Sequence, residues 1–204
     1  MTKLMMGAVG AIFMAIAVSQ GQPLGIGSPM PLINEKLTDV DGNMATLANN
    51  RGKVGTLVVF TCNHCPFVKA WQTRMVKIAN DCMKRDIGVV FVNSNDPIAI
   101  PEDALEPMKN LAKTQGYTFP YVMDGSSELA RAFGASRTPE AFLFDRASKL
   151  VYHGTIDDNT YDAMAVKKSY LKDAVEALLA GKAIPQADTK SVGCSIKFRA
   201  QTLK

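Results

Sequence analysis

The stretch that decides the fold is TCNHCPFVK at residues 61–69, in which Cys62 and Cys65 stand two residues apart. An apolar run, LVVF at residues 57–60, leads directly into it, and a helix-compatible segment follows over residues 66–83. A buried strand that ends in Cys-x-x-Cys and opens a helix places the first cysteine at the positive end of a helix dipole. In α/β proteins this carboxyl edge of the sheet is where sites are found. The sequence therefore predicts a reactive cysteine pair.

Length and composition favour one globular domain with short extensions. The chain has 204 residues, of which 47% are hydrophobic, and its net charge is +4. That hydrophobic fraction suits a folded α/β body rather than a disordered chain. Because lysines and arginines are spread over the whole chain and do not follow a helix face, nucleic acid is not an expected partner.

The N-terminus has the pattern of a secretory signal peptide. Lys3 precedes an apolar stretch over residues 4–18, and Ala17-Val18-Ser19 gives a small-x-small cleavage pattern. The stretch is short for a membrane-spanning helix, although an uncleaved N-terminal anchor is the alternative. We expect an exported chain, periplasmic or secreted, that begins near Gln20 and has no membrane contact after the signal is removed.

The chain divides into four segments on this basis. Residues 1–22 form the signal peptide and the start of a linker, and residues 23–31 form a linker rich in glycine and proline. Residues 32–185 form the domain, and residues 186–204 form a C-terminal tail without a clear period.

Hydrophobic periodicity gives the order of elements in the domain. A hairpin with an Asp-Gly turn at residues 41–42 comes first, followed by a βαβ unit, an αβ unit, a short helix, a ββ pair and a last helix. The βαβ unit implies parallel strands, and the tight ββ connection implies an antiparallel pair. Strands are predicted at residues 55–60, 87–92, 118–123, 141–145 and 150–153, and helices at residues 63–83, 101–114, 126–134 and 166–180.

This order, with Cys-x-x-Cys at the first βα junction and Thr138-Pro139 before the ββ pair, resembles the thioredoxin fold. The hairpin and the helix inserted near residues 101–114 resemble the redoxin branch, which includes the alkyl hydroperoxide reductase and thiol-specific antioxidant proteins, and within it the peroxiredoxin-like subgroup. The resemblance implies an α/β, thioredoxin-like fold with a central mixed sheet flanked by helices. Its matching pieces are NHCPFVK (63–69), TPEAFLFD (138–145), GTIDDN (154–159) and GCSIK (193–197).

The resemblance also implies chemistry. It implies thiol–disulfide exchange by Cys62 and Cys65 without a cofactor, acting on protein thiols or disulfides and on a redox partner protein. The Thr138–Pro139 bond would be cis and would lie against the cysteine pair. Of the two cysteines, we expect Cys62 to be the nucleophile, because the helix N-terminus and His64 would lower its pKa, and Cys65 to resolve the mixed disulfide.

Two alternatives stay open at this point. A peroxiredoxin-like peroxidase would carry a threonine three residues before the attacking cysteine, but Cys62 precedes Cys65 there and Val59 precedes Cys62. A copper or zinc site could use Cys62, His64 and Cys65. The strand before the motif also lacks the buried acid of many thioredoxin relatives, since Thr56 stands six residues before Cys62.

The two remaining cysteines have different expectations. Cys82 falls on the apolar stripe of the first helix and is predicted to lie in the core. The tail over residues 186–198 is expected to fold back and bring Cys194 near another cysteine, and Cys82 is the candidate left when Cys62 and Cys65 pair with each other.

Overall fold

A computed structural model describes residues 23–200, so the predicted signal peptide lies outside the described residues. Within that range no helix is both long and apolar enough to cross a membrane. The α-helices of the described range are α1 (Pro66–Lys84), α2 (Leu105–Gln115), α3 (Glu128–Phe133) and α4 (Tyr170–Leu179). Its strands are β1 (Leu37–Asp39), β2 (Met44–Ala45), β3 (Gly55–Phe60), β4 (Ile87–Asn93), β5 (Tyr121–Met123), β6 (Arg137–Thr138), β7 (Glu140–Asp145), β8 (Leu150–Gly154) and β9 (Cys194–Ser195).

Seven of these strands form one mixed sheet in the order β2-β1-β5-β4-β3-β7-β8. Strands β3, β4 and β5 are parallel, whereas β7 runs antiparallel to β3 and β8 antiparallel to β7. In this register Phe60, the last residue of β3, stands beside Val92 on one side and Glu140 on the other. The predicted mixed sheet with an N-terminal hairpin and flanking helices is confirmed.

The core lies on both faces of the sheet, which explains why β3 and β4 are buried throughout and mostly apolar rather than alternating. Helix α1 packs on one face through a stripe that includes Trp71, Met75 and Cys82, all at most 1% exposed. Burial of each large side chain of this kind contributes about 1.5–3 kcal/mol. The predicted core position of Cys82 is confirmed.

Two of the predicted helices begin about a turn later than periodicity suggested. The segment over residues 101–114 is split, because Ala104 has an extended backbone that separates a 3-10 turn, Pro101–Asp103, from α2. The last helix begins at Tyr170 instead of residue 166, because the preceding residues bond to Asp158. The Lys167 amide donates to Asp158 Oδ1 at 2.9 Å, and the Asp158 amide donates to the Lys168 carbonyl oxygen at 3.1 Å.

The tail folds back over the domain, as expected. Strand β9 pairs antiparallel with β6, with Cys194 opposite Thr138. Further back in the tail, the Thr189 amide donates to the His153 carbonyl oxygen at 2.9 Å, which covers one half of the edge strand β8. The N-terminal segment covers the other half, since the Gly27 amide donates to the Leu150 carbonyl oxygen at 2.8 Å.

Candidate active site

The cysteine pair lies where β3 gives way to α1. Strand β3 ends at Phe60, and Pro66 occupies the first turn of α1, where its missing N–H costs little. The residue at the N-cap is therefore Cys65, with an extended backbone, and not Cys62. Both side chains are fully buried, at 0% exposure.

Thr138 contacts both cysteines. Its bond to Pro139 is cis, which confirms the sequence-based prediction. Cys62 Sγ lies 3.2 Å from Thr138 Oγ1, and Cys65 Sγ lies 3.2 Å from the Thr138 carbonyl oxygen. The structure thus brings together four of the predicted site residues, Cys62, Cys65, Thr138 and Pro139, at the carboxyl edge of the parallel strands.

The two reasons for expecting a low pKa at Cys62, the helix N-terminus and His64, are wrong. Cys62 stands before the helix N-cap and is fully buried, so the dipole acts on Cys65 instead. The hydrogen bond to Cys65, burial and the charge of Asp103 together raise the pKa of Cys62. Hydrogen bonds from Cys62, from Cys194 and from the Val68 amide lower the pKa of Cys65 to about 4 against the opposing effect of burial. These directions favour Cys65 over Cys62 as the more acidic thiol of the pair.

A buried carboxylate that the sequence reasoning missed lies beside the pair. Asp103 is 0% exposed and ends the 3-10 turn before α2. It accepts hydrogen bonds from the Asn63 amide at 2.6 Å, from Asn95 Nδ2 at 2.7 Å and from His64 Nδ1 at 2.7 Å. His64 therefore faces Asp103, rather than standing free beside a thiolate. Asp103 is thus a buried acid beside the pair, in a chain whose strand β3 has Thr56 six residues before Cys62.

Three of these side chains could hold a metal ion. One ligand atom each from Cys62, His64 and Asp103 lies within 4.8 Å of the others. A thiolate, an imidazole and a carboxylate are a ligand set that zinc accepts in a tetrahedral site. Cys65, which the sequence analysis included in such a site, is outside this group.

The expected partner of Cys194 is wrong. Cys194 Sγ lies 2.8 Å from Cys65 Sγ, compared with about 2.05 Å in a disulfide bond. Cys82 lies on the buried stripe of α1, and its pKa is raised to about 12, mainly by burial. The tail thus places Cys194 beside Cys65 and not beside Cys82 in the core.

Comparison with known proteins agrees with this geometry. The redoxin family pattern matches residues 26–170. The chain belongs to the redoxin family. The family resemblance read from the sequence is thereby confirmed, and this redoxin is an oxidoreductase.

The chain is similar to three known proteins that illustrate the range of its relatives. The chain is 25% identical over 147 residues to the thiol-disulfide oxidoreductase ResA of Geobacillus thermodenitrificans, covering 72% of this chain and 79% of ResA. An uncharacterized conserved protein from Geobacillus kaustophilus superposes with a TM-score of 0.81 at 39% identity, covering 87% and 94% of the two chains. Peroxiredoxin Q of Xanthomonas campestris superposes with a TM-score of 0.53 at 20% identity, covering 78% and 97%. The last likeness shows the thioredoxin-like fold alone.

For two residues of this redoxin's site the sequence analysis was incomplete, for different reasons. Asp103 falls in the first turn of the helix predicted over residues 101–114, because the periodicity continues across Ala104, and its place in the site was missed; for Cys194 the partner was wrong. Cys194 stands 129 residues from Cys65 in the chain, so no local pattern connects them. The GCSIK stretch was the only signal, and it marked the position without giving its partner.

Proposed function

We propose that this redoxin is an exported thiol–disulfide oxidoreductase whose redox pair is Cys62 and Cys65. The observation that carries the proposal is the contact of both sulfurs with Thr138, at 3.2 Å each, where the parallel strands end. The likeness to ResA, a thiol-disulfide oxidoreductase, supports the same reaction class. Neither cysteine has the threonine frame of a peroxidase, which argues against peroxide as the main substrate.

The two cysteines have unequal roles in this reaction. We expect Cys65 to be the more acidic thiol of the reduced pair, because a hydrogen bond from Cys62 lowers its pKa. When a substrate dithiol is oxidised, two electrons enter the Cys62–Cys65 disulfide, and the two substrate protons pass to the released cysteines and to solvent. Asp103 and His64 lie next to Cys62 and are placed to relay its proton.

The low pKa of Cys65 sets the direction of exchange. A stabilised thiolate stabilises the reduced protein, so its disulfide is a stronger oxidant. We therefore expect a reduction potential above the roughly −270 mV of thioredoxin. The proposed reaction is oxidation of protein dithiols by the Cys62–Cys65 disulfide, followed by reoxidation by a redox partner protein.

The test is exchange between the oxidised protein and a short peptide that carries two cysteines. We expect peptide disulfide to form with one equivalent per protein, and the reaction to be lost in Cys65→Ser. Cys82→Ala is the matched control, because Cys82 is a buried cysteine in the core of the same helix. Exchange that persists in Cys65→Ser would contradict the proposal, as would consumption of hydrogen peroxide at a rate far above that of dithiol oxidation.

A second candidate function is metal binding by Cys62, His64 and Asp103. The observation in its favour is that their ligand atoms lie within 4.8 Å of one another. Protein purified without chelator would then contain stoichiometric zinc or copper, and the metal would be lost in Cys62→Ser but kept in Cys65→Ser. Metal content well below one equivalent in the wild type, after incubation with either ion and desalting, would exclude this function.

Export rests on the N-terminal sequence. The motive is Lys3, the apolar stretch over residues 4–18 and the cleavage pattern that follows. N-terminal sequencing of the protein from its native host should return a residue near Gln20. A chain that begins at Met1 or Thr2 would contradict export by a cleaved signal.

A further inference from the structure

The cysteines at the site differ in their exposure to solvent. Cys62 and Cys65 are both at 0% exposure, so neither sulfur is open to a protein substrate in this structure. Cys194 is partly exposed and lies directly against the pair. Of the four cysteines, all of which lie in the described part of the chain, it is the one with a surface open to solvent.

The position of Cys194 is fixed by the backbone on both sides. Its residue pairs with Thr138 in the β6–β9 ladder, and the Ile196 amide donates to the Ser136 carbonyl oxygen at 3.0 Å. On the other side, the backbone of Gly193 approaches Thr138 so closely that an added Cβ would lie 2.1 Å from the Thr138 carbonyl oxygen. The same backbone atom contacts Cys65, so the ladder aligns Cys194 with that sulfur.

We propose that Cys194 is a third redox-active cysteine, which forms a disulfide with Cys65 and exchanges it with the substrate at the protein surface. This inference rests on the proposed thiol–disulfide exchange and deepens it. It changes the site from a pair to a relay of three sulfurs, in which Cys65 is the shared member. The substrate class is a protein dithiol that contacts the tail and never enters the buried pair.

The steps balance in atoms and electrons. In the first, the Cys194 thiolate attacks Cys65 of the Cys62–Cys65 disulfide, so that a Cys65–Cys194 bond forms, Cys62 leaves as a thiolate and is protonated, and no net oxidation occurs. In the second, a substrate thiolate attacks Cys194 and Cys65 leaves. In the third, the second substrate thiolate attacks the substrate sulfur of this mixed disulfide and Cys194 leaves. The substrate loses two electrons, which the protein gains as reduced cysteines.

Exposure favours attack at Cys194 in the second step. Cys194 is partly exposed, whereas Cys62 and Cys65 are at 0% exposure. A substrate thiolate therefore reaches Cys194 first, and Cys65, which lies 2.8 Å away, is the sulfur that leaves.

The first test measures the new bond without any substrate. Cys62→Ser keeps three cysteines, and mild oxidation with diamide should join Cys65 to Cys194 and leave only Cys82 free. Trypsin would release the link as residues 54–69 bonded to residues 191–197, because lysines flank both segments. The double variant Cys62→Ser, Cys194→Ser should keep both of its thiols after the same treatment. Folded Cys62→Ser protein in which all three thiols stay free to alkylation would overturn the proposal.

The second test measures exchange. We expect oxidised Cys194→Ser to oxidise the two-cysteine peptide roughly tenfold or more slowly than wild type, because the substrate must then reach a buried sulfur. Cys82→Ala should keep the wild-type rate. An unchanged rate in Cys194→Ser would overturn the relay and leave the proposed function intact. A wild-type protein that forms the Cys65–Cys194 bond but never oxidises the peptide would instead contradict the proposed function, since bond formation is scored without peptide.

Discussion

Replacing Asp103 by asparagine tests the buried network beside the cysteines. The change keeps the shape of the side chain and removes its negative charge. In the wild type Oδ1 accepts from the Asn63 amide, and Oδ2 accepts from both His64 and Asn95. An asparagine has one acceptor oxygen where aspartate has two. Its amide nitrogen, which is a donor, must therefore face a partner that is itself a donor.

The magnitude follows from the hydrogen bonds that change. If the oxygen of the new side chain stays on the Asn63 amide, His64 can change tautomer, but Asn95 Nδ2 is left as a buried donor without an acceptor. That loss costs about 1–3 kcal/mol, and exchanging a charged for a neutral acceptor in the remaining bonds costs about 1 kcal/mol more. We therefore expect a fall of about 2–4 kcal/mol in unfolding free energy. The corresponding fall in Tm is roughly 5–15 °C for a chain of this size.

The same substitution should change the acidity of Cys62. The charge of Asp103 is one of the causes that raise the pKa of this thiol. The titration is cleanest in a Cys65→Ser background, where Cys62 no longer shares a proton with its neighbour. We expect the pKa of Cys62 to be lower in Cys65→Ser, Asp103→Asn than in Cys65→Ser, because the nearby negative charge is gone. Thiolate ultraviolet absorbance against pH measures it.

Asp124→Asn is the matched control for both measurements. Asp124 is also buried, at 2% exposure, and its Oδ2 accepts from Ser94 Oγ at 2.8 Å and from the Ala130 amide at 3.0 Å. This substitution should lower Tm without moving the pKa of Cys62. If Asp103→Asn is as stable as wild type, the network does not stabilise the site. If Tm falls but the pKa of Cys62 stays where it was, the electrostatic coupling to Asp103 is refuted.

Three further predictions follow from other contacts. Gly193→Ala places a Cβ 2.1 Å from a backbone carbonyl oxygen, so the yield of the tail disulfide should fall, whereas Gly125→Ala meets nothing within 4 Å and should leave it unchanged. Asp157→Asn should lower the unfolding free energy measured in urea by about 2–3 kcal/mol. This is less than the cost of breaking a fully buried ion pair, because the partner Arg74 is 20% exposed. An effect below about 0.5 kcal/mol would refute the argument that this ion pair stabilises the fold. Burial lowers the pKa of His153, but hydrogen bonds to two carboxylates outweigh this and raise it. The stabilisation of the folded state by protonated His153 is therefore complete below about pH 6.5 and is lost as pH rises through the folded-state pKa of this residue. The Tm difference between wild type and His153→Gln should be larger near about pH 6 than near about pH 9.

The sequence predicted those elements in which local pattern and packing agree. Strand β3 was expected at residues 55–60 and has those bounds, because the apolar run at residues 57–60 suits a strand covered on both faces. Helix α1 was expected to begin near Asn63, and it begins at Pro66. The proline itself was the local signal for the true start, since it fits the first helical position. Reading it that way would have placed the dipole on Cys65.

The rest of the site depends on contacts between distant parts of the chain. Asp103 is turned inward by the extended backbone at Ala104, a residue that fits a helix as readily as a break. Cys194 reaches Cys65 only because a two-residue ladder pairs the tail with Arg137–Thr138. Nothing in the spacing of the four cysteines distinguishes Cys65 from Cys82 as its neighbour. Geometry of this kind is set by tertiary packing, which sequence periodicity does not record.

The covering of strand β8 has a consequence for solubility. An outer strand offers unpaired N–H and C=O groups to other chains and is a common starting point of aggregation. Here the segment around Gly27 satisfies one half of that strand and the segment around Thr189 the other, while the opposite edge of the sheet ends in the two-residue β2. The tail therefore protects the sheet as well as carrying Cys194. Removing the whole tail would expose the edge of strand β8 and promote aggregation. Point substitution of Cys194 therefore tests the chemistry of that residue, whereas truncation would also change the solubility of the protein.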